Sequence, residues 1–272
     1  MRIERTIGLP KAGQPGLFWL GQAGFWIETG RHRLLIDPYL SDSLAVKYRG
    51  KPNDHRRMMP PPLTVQDLPR PDLVLVTHGH TDHLDPDTLG PLRRRFPDVP
   101  FVVPTACAEL ARTRIGAKAQ LILVDADQEL MPLPDLALTV FPAAHEALER
   151  DEAGHHRFLG YGIAAPALRL YHSGDSIPFD GLARRVRDFE PDICLLPVNG
   201  RDAQRAASGI PGNFHLSEAI ELAQDCPFLI PHHFGMFAFN TVDPDVIDAA
   251  ALGSEFPLII RPTAGECLSI KT

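Results

Sequence analysis

The chain has 272 residues, of which 44% are hydrophobic and 22% are charged, so a disordered chain is excluded and an ordinary globular protein is indicated. Its 34 acidic and 27 basic residues give a formal charge of −7, which argues against broad binding to nucleic acid or to an anionic membrane. The 12 histidines are the informative excess, because histidine is the commonest protein metal ligand.

The cysteines and the N-terminus indicate the compartment. The four cysteines are far apart and form no CxxC pair, so we expect neither a disulfide framework nor a thiolate zinc site. Residues 1–5 lack the apolar run of a signal peptide, and no stretch approaches the roughly 20 apolar residues that span a bilayer. A reduced, cytoplasmic protein is therefore expected.

Short apolar runs alternate with helical patterns along the whole chain. In the first half, the predicted strands are Leu17–Glu28 and Arg33–Asp37, joined by a turn at Gly30, then Asp72–Thr77, Phe101–Val103 and Leu121–Val124. In the second half, the predicted strands are Leu136–Pro142, Leu168–His172, Asp192–Pro197, Phe228–Pro231 and Leu258–Arg261, with helices over 180–190, 215–226 and 243–252. This alternation predicts a layered α/β fold.

One region differs from this pattern. The segment from Ser41 to Pro71 is polar and then rich in proline, and it contains Tyr48 and Arg49 as well as Arg56 and Arg57. A loop of this length in a compact domain is often a lid or a binding loop, and a solvated charged surface is the alternative.

The strongest chemical signal is Thr77-His78-Gly79-His80-Thr81-Asp82-His83, directly after a predicted strand. On such a loop, His78 and His80 can face one point, while Asp82 and His83, on the next turn, can face a second point nearby. Imidazole and carboxylate suit a borderline divalent ion such as Zn²⁺ or Mn²⁺. A polar helix cap with incidental histidines is the alternative.

Further candidate ligands follow later strands. His145 comes after Leu136–Pro142, Asp175 after Leu168–His172, and the pair His232-His233 after Phe228–Pro231. A hydrogen-bonded histidine or a turn aspartate would explain any one of them. Their joint placement at strand ends, in this order after HxHxDH, favours a metal site. A carboxylate can bridge two cations, and Asp175 is the natural candidate.

Together these motifs resemble the metallo-β-lactamase superfamily. Within it, Trp19–Ile27, Tyr171–Ser176, Ile230–His233 and Phe239-Asn240 are similar to the L-ascorbate-6-phosphate lactonase group. The resemblance runs from about Leu17 to Pro244. It implies one hydrolase domain over residues 1–272, with an αβ/βα four-layer sandwich built on two central mixed sheets. The first glycine loop has Gln22 where other branches of the superfamily have histidine.

The resemblance also implies two metal ions, zinc or manganese, with iron as a further possibility. The first ion would be bound by His78, His80 and His145. The second would be bound by Asp82, His83 and His233, with Asp175 bridging. Of the adjacent pair, His233 is preferred because related sequences carry histidine there, and because successive side chains of a continuing strand point to opposite faces.

Residues around the ligands have expected supporting roles. Asp37, at the end of a strand, would accept a hydrogen bond from a ligand imidazole, although a turn aspartate before Pro38 is an equal alternative. His172 is placed near the pocket in a supporting position. His232 is expected behind the ligands or in the pocket, where it is a candidate for contact with substrate. The remaining histidines, His32, His55, His155 and His156, are expected on the surface.

Besides His232, three residues are candidates for contact with substrate. Asn199 and Arg201 follow the strand Asp192–Pro197, and the planar fork of Arg201 suits a phosphate or carboxylate. His215 precedes a predicted helix, where it can donate to an anion or to a leaving group. A surface arginine and a modest helix cap are the respective alternatives.

The predicted function is a metal-dependent hydrolase that opens a small lactone, plausibly of a phosphorylated sugar acid. Two cations that share a water lower its pKa towards neutrality and provide a hydroxide nucleophile, which Asp82 orients. Asp82 or His215 would protonate the leaving group. The alternatives are a phosphodiesterase of the same superfamily and a non-catalytic metal-binding domain. The expected partner is a small, anionic molecule, with no nucleic acid and no membrane; the chain alone leaves homo-oligomerisation open.

Overall fold

A computed structural model describes residues 1–271, which form two compact units. The first unit contains residues 1–124, 236–239 and the chain from Pro262 onwards. The second contains residues 125–235 and 240–261. Each unit has one sheet with its own helices.

The sheet of the first unit has eight strands. They are β1 (Arg2–Ile7), β2 (Gly16–Gly21), β3 (Gly24–Glu28), β4 (Arg33–Ile36), β5 (Leu73–Leu75), β6 (Phe101–Pro104), β7 (Leu121–Val124) and β15 (Glu266–Lys271). The order is β1-β15-β2-β3-β4-β5-β6-β7, antiparallel up to β4 and parallel from β4 to β7. The helices are α1 (Ser43–Lys47), α2 (Pro86–Arg95) and α3 (Ala108–Ile115), and a 3₁₀ turn covers Thr105–Cys107.

Two helices of the first unit pack on one face of its sheet. Leu89 and Leu92 of α2 and Ala111 of α3 share a buried hydrophobic cluster with Trp26 and Val74 of the sheet. Helix α2 begins after Asp85, whose side chain accepts from the backbone N–H of Asp87, with Pro86 at the first helical position. This is the expected start of a helix, because proline needs no hydrogen-bond partner there.

The sheet of the second unit has seven strands. They are β8 (Glu129–Leu133), β9 (Leu136–Pro142), β10 (Leu159–Ala165), β11 (Leu168–His172), β12 (Ile193–Pro197), β13 (Phe228–His232) and β14 (Leu258–Ile259). The order is β14-β13-β12-β11-β10-β9-β8, parallel from β11 to β14 and antiparallel elsewhere. The helices are α4 (Leu182–Phe189), α5 (Ala203–Ala207), α6 (Leu216–Leu222) and α7 (Pro244–Gly253).

Helix α4 packs on β10 at a glycine. A Cβ on Gly162 would lie 2.7 Å from the ring of Phe189 and 2.9 Å from that of Phe141. These two rings meet edge to face at 5.7 Å. The absence of a side chain at position 162 therefore lets the helix approach the strand closely.

The strand directions in the second unit explain where its polar side chains gather. Strands β9 and β11 both run antiparallel to β10, and β12 and β13 run parallel to β11. The chain therefore leaves β9, β11, β12 and β13 at the same edge of the sheet. His145, Asp175, Asn199 and His233 follow these four strands in turn.

The prediction of one strand over Leu17–Glu28 is wrong. The segment forms β2 and β3, which pair antiparallel about a tight turn at Gln22-Ala23. Both Gly21 and Gln22 have a left-handed backbone, with φ of 92° and 52°. The prediction missed the turn because both strands are fully buried and the chain is apolar on each side of one polar residue, Gln22.

Four strands were not predicted: β1, β8, β10 and β15. Strand β1 is an edge strand whose sequence, Arg-Ile-Glu-Arg-Thr-Ile, is mostly polar and exposed. Strand β10 carries two glycines, which are usually depleted in strands. Strand β1 therefore lacks the apolar pattern, and strand β10 the residue types, from which a strand is predicted.

The other predicted elements are present with small boundary changes. The three predicted helices of the second half correspond to α4, α6 and α7, each somewhat shorter or shifted. The segment from Ser41 to Pro71 contains the short helix α1. Within residues 1–271, no helix is long and apolar enough to cross a membrane. Two mixed sheets with flanking helices confirm the α/β class.

Candidate metal centre

The HxHxDH segment forms a compact turn after β5. Backbone N–H groups of His83 and Leu84 donate to the carbonyl of His80 at 3.2 and 2.8 Å. His78 and His83 are fully buried, Asp82 is half-buried and His80 is exposed. The rings of His78 and His83 lie 3.9 Å apart between centroids. The turn thus gathers two buried imidazoles, one exposed imidazole and one carboxylate.

Asp37 fixes the orientation of this turn. Its carboxylate accepts from the backbone N–H of Thr77 at 2.8 Å, from Thr77 Oγ1 at 2.6 Å and from His83 Nδ1 at 2.7 Å. Asp37 is itself fully buried and has a left-handed backbone, with φ of 42°. The contact anticipated from the sequence, between Asp37 and an imidazole N–H, is thus made with His83.

These contacts determine which ring nitrogens carry protons. The Asp37 carboxylate accepts the hydrogen bond from His83, which assigns the proton of His83 to Nδ1 and leaves a lone pair on Nε2. The hydroxyl of Thr77 gives its proton to Asp37, so it accepts from His78 Nδ1, 3.1 Å away. Both buried imidazoles therefore present Nε2 as the basic atom, which is the form that a metal requires.

Two further residues hold the turn, and sequence reasoning missed the role of both. Gln22 Nε2 donates to Asp82 Oδ2 at 2.8 Å, so the glutamine that departs from related branches contacts the predicted catalytic carboxylate. Arg114 of α3 donates to the carbonyls of Gly79 and Leu84 at 2.9 and 3.2 Å. Burial lowers the pKa of Arg114. Neither partner is close to the motif in sequence, so no local pattern reveals it.

In the second unit, two histidines contact one aspartate. His233 Nε2 lies 3.2 Å from Asp175 Oδ2, and His145 Nε2 lies 3.7 Å from the same atom. All three side chains are 3% exposed. The Nδ1 of His145 is 3.1 Å from the carbonyl of Gly212. A carbonyl can only accept, so His145 also carries its proton on Nδ1 and keeps Nε2 basic.

The argument that placed His233 ahead of His232 needs a correction. It assumed a continuing strand, but β13 ends at His232, and His233 has a left-handed φ of 60°. The backbone turn, and not strand alternation, directs His233 towards Asp175. His232 instead stacks on His172 at 4.7 Å between ring centroids. His172 Nδ1 accepts from the backbone N–H of Gly174 at 3.0 Å, the opposite tautomer to that of His145.

Arg201 is already engaged within the second unit. Its guanidinium forks onto Glu218, with both N–O distances at 2.7 Å, and it also donates to the carbonyl of Asn213 at 3.1 Å. The bond to Glu218 raises the pKa of Arg201, and the same bond lowers the pKa of Glu218. An internal salt bridge thus occupies the fork that the sequence assigned to a substrate anion.

The other two predicted substrate residues are placed differently. Asn199 is buried, donates to Asn240 Oδ1 at 2.8 Å and accepts from Asn213 Nδ2 at 3.0 Å. His215 is exposed at the N-cap of α6, and Glu218 accepts from its backbone N–H at 2.8 Å. The amide group of Asn199 thus belongs to an internal network, whereas the imidazole of His215 faces solvent.

The segment from Ser41 to Pro71 packs against its own unit. Arg57 donates to the carbonyls of Tyr39, Ser41 and Met59 at 3.0 to 3.2 Å. His55 stacks on Tyr48 at 4.1 Å and is half-buried, so it lies only partly at the surface. His156 is buried, with its Nδ1 2.8 Å from Asp125, so its expected surface position is wrong. The lid role of the segment stays a prediction.

The donor atoms of the predicted ligands fit a divalent metal. The first unit contributes the candidate ligands His78, His80, Asp82 and His83, and the second contributes His145, Asp175 and His233. Imidazole nitrogen and carboxylate oxygen together suit zinc, manganese and iron. The candidate ligands within each unit therefore have the chemistry that metal binding requires.

Comparisons with known proteins agree with this chemistry. A family profile described as "Beta-lactamase superfamily domain" matches residues 32–234. A protein of Archaeoglobus fulgidus named "UPF0173 metal-dependent hydrolase" is 29% identical over 240 residues, covering 84% of this chain and 86% of its own. One of Methanopyrus kandleri with a similar name is 29% identical over 257 residues, covering 89% and 94%.

Solved structures show the same fold. A possible metal-dependent hydrolase of Veillonella parvula has a TM-score of 0.77 at 17% identity, covering 94% of this chain and 100% of its own. An isothiocyanate hydrolase from Delia radicum gut bacteria has a TM-score of 0.72 at 18% identity, covering 94% and 98%. The chain therefore belongs to the β-lactamase superfamily and has the metallo-β-lactamase fold, and its relatives support a metal-dependent hydrolase.

Proposed function

We propose that the protein binds two divalent cations and hydrolyses a small, anionic lactone. The first cation would be bound by His78, His80 and His145. The second would be bound by Asp82, His83 and His233, with Asp175 shared between them. Zinc and manganese are the expected metals, and iron fits the same donors.

One observation carries the metal-binding proposal. In three buried histidines, His78, His83 and His145, Nδ1 faces an oxygen that accepts a hydrogen bond from it. These oxygens belong to the hydroxyl of Thr77, whose own proton goes to Asp37, to the carboxylate of Asp37 and to the carbonyl of Gly212. All three therefore present a basic Nε2. A histidine that merely filled a core would need no such agreement, whereas metal ligands are commonly held in this way.

The residues divide the chemistry between them. Bound divalent cations would supply Lewis acidity and a water of lowered pKa. Asp82 would orient that water and take its proton. In support, Gln22 donates to one oxygen of this carboxylate at 2.8 Å. His215, which is exposed at the start of α6, is the proposed proton donor to the leaving alkoxide.

The lactone is proposed from the motifs of the sequence. The glycine loop at Trp19–Ile27 and the turn at Tyr171–Ser176 resemble those of the lactonase group. Because Arg201 is paired with Glu218, the negative charge of the substrate would be met mainly by the cations themselves. Two divalent ions offer four positive charges at one place in an otherwise acidic protein.

The test combines elemental analysis with a substrate panel on the same preparation. We expect about two transition-metal ions per chain and hydrolysis of a phosphorylated sugar-acid lactone. The variants His78→Ala and Asp175→Ala should lose metal and activity together. His155→Ala is the matched control, because the side chain of His155 pairs with Asp151 at 3.3 Å and belongs to neither predicted ligand set.

The panel also separates the substrate classes. It includes a generic phosphodiester and an isothiocyanate beside the lactones. Faster turnover of either competitor would replace the lactone while leaving the metal centre in place. Full hydrolysis by protein stripped of metal, or by the Asp175→Ala variant, would overturn the metal-dependent proposal itself.

A further inference from the structure

We infer that Arg201 and Glu218 are positioning residues for His145, because they hold in place the carbonyl that sets the tautomer of this imidazole. The inference rests on the proposed function in one respect: it treats His145 as a metal ligand. It replaces the expectation that Arg201 reads an anion on the substrate.

The carbonyl in question belongs to Gly212, and the connection between the two segments is reciprocal. His145 Nδ1 donates to the carbonyl of Gly212 at 3.1 Å. In return, the backbone N–H of Gly212 donates to Glu146 Oε1 at 3.2 Å. His145 and Glu146 therefore bind the C=O and the N–H of Gly212 respectively. A shift of Gly212 would consequently turn the ring of His145.

Gly212 is in turn held from the opposite side by Arg201. The guanidinium donates to the carbonyl of Asn213, the next residue, at 3.1 Å. Backbone bonds complete the connection, since Asn213 N donates to the carbonyl of Gly200 at 3.2 Å and Gly200 N donates to that of Phe214 at 3.0 Å. The segment 200–201 thus runs beside the segment 212–214 and fixes its path.

Glu218 anchors the guanidinium. Both of its oxygens accept from Arg201 at 2.7 Å, and Oε2 also accepts from the backbone N–H of His215 at 2.8 Å. A single carboxylate therefore connects the arginine to the start of α6. A bidentate, partly buried pair has a defined geometry, which a single exposed contact lacks.

Packing requires a glycine at this point. A Cβ on residue 212 would lie 2.0 Å from Cβ of Arg201 and 2.9 Å from its Cα. Gly212 is not among the residues with positive φ, so close approach and not backbone conformation explains the glycine. The Cα and Cβ of Arg201 thus pack directly against Gly212, whose carbonyl orients His145.

The test compares two arginines of the second unit that form the same kind of pair. Arg201→Met removes the fork onto Glu218, and Arg201→Lys keeps the charge without the bidentate geometry. Arg261→Met is the matched control, because Arg261 forks onto Asp248 at 2.7 and 2.8 Å and lies far along the chain from the 212–214 segment. Urea midpoints establish that each variant is folded.

Two readouts are used. Imidazole ¹⁵N NMR of metal-free protein reports the tautomer of His145, with its signal assigned by a His145→Gln variant. Competition with a chromogenic chelator reports the affinity for Zn²⁺. For Arg201→Met we expect a mixture of tautomers and roughly tenfold weaker binding of one zinc equivalent, as for other residues behind a ligand. Arg201→Lys should recover part of both effects, and Arg261→Met should show neither.

Each outcome decides one question. An unchanged His145 tautomer in folded Arg201→Met would overturn the positioning role, whatever the metal does. Wild-type protein that binds no Zn²⁺ would overturn the proposed function, while a tautomer change in Arg201→Met would still establish the positioning role. Equal losses in Arg201→Met and Arg261→Met would show a general loss of stability, which also overturns the inference.

Discussion

The two units hold their histidines in different ways. In the first unit, the candidate ligands lie within one short turn, and a single carboxylate, Asp37, fixes that turn through Thr77 and His83. In the second unit, the ligands come from separate loops, and a backbone carbonyl 67 positions away orients His145. The first arrangement is local and anchored by charge, whereas the second is distributed and depends on the path of another loop.

This difference indicates which substitutions should disturb the candidate ligands of each unit. A turn anchored by a buried carboxylate should fail mainly when that carboxylate or its partners are changed. A ligand oriented by a distant carbonyl should respond to substitutions that touch neither the ligand nor the metal. The following predictions test this contrast, in order of decreasing expected effect.

Asp37→Asn should have the largest effect. An amide that faces His83 through its NH₂ group would move the imidazole proton from Nδ1 to Nε2 and remove the basic atom. We expect roughly 10- to 100-fold weaker Zn²⁺ binding and a loss of about 1–3 kcal/mol of stability. Chelator competition and urea unfolding measure the two. The control is Asp72→Asn, since Asp72 accepts from the backbone N–H of Arg33 at 2.9 Å. Unchanged zinc affinity in Asp37→Asn would contradict the role of Asp37 in fixing the turn.

Arg114→Met should separate stability from metal binding. The change leaves the carbonyls of Gly79 and Leu84 without their shared donor, which should cost about 1.5–3 kcal/mol. Zinc affinity should fall less than in Arg201→Met, because Asp37 and Thr77 still hold the turn. Urea midpoints and chelator competition on both variants make the comparison. A larger loss of affinity in Arg114→Met would reverse the contrast between the units.

Gln22→Met should affect turnover more than metal content. It removes the hydrogen bond to Asp82 Oδ2 while keeping the volume of the side chain. The loss of about 1 kcal/mol corresponds to roughly fivefold in kcat. Steady-state kinetics with the best substrate of the panel, beside Gln14→Met as an exposed control, provide the measurement. Loss of metal instead of kcat would assign Gln22 to the ligand set.

Glu218→Gln should show a pH-dependent effect on stability. The bond from Arg201 lowers the pKa of Glu218 below its ordinary value of 4.5. The charged pair therefore stabilises the fold above that value, and its contribution is lost as the pH falls through the lowered pKa. The free energies of unfolding of wild type and variant, from urea titrations, should differ by about 1 kcal/mol at pH 7 and converge in acid. A constant difference across this range would show that the charge of Glu218 is not involved.

The parts of the site that could be predicted are those that a short stretch of sequence is enough to recognise. HxHxDH after a buried strand, and Asp175 in the turn after β11, stand out because residue type and strand position coincide. The α/β class follows from the alternation of apolar runs. The separation of β2 from β3 was not visible, because residues on both sides of Gln22 are equally apolar.

The parts that could not be predicted depend on pairs distant in sequence. Arg201 looks like a free cation until Glu218, 17 positions later, is brought to it. Gly212 looks like a loop glycine until Arg201 is seen against it. Gln22 appeared only as a departure from related branches, and its partner Asp82 lies 60 positions away. A single sequence records the residue types but not these pairings.

The left-handed backbone of Gln22, Asp37 and His233 has a consequence for mutagenesis of this protein. Each of these residues comes just after a strand, with φ between 42° and 60°. Such positions tolerate glycine or asparagine, while a β-branched side chain would add a steric penalty of order 1–3 kcal/mol. A saturation library at these positions should therefore be depleted of valine, isoleucine and threonine before any effect on chemistry is selected, so their loss there cannot be taken as a sign of lost catalysis.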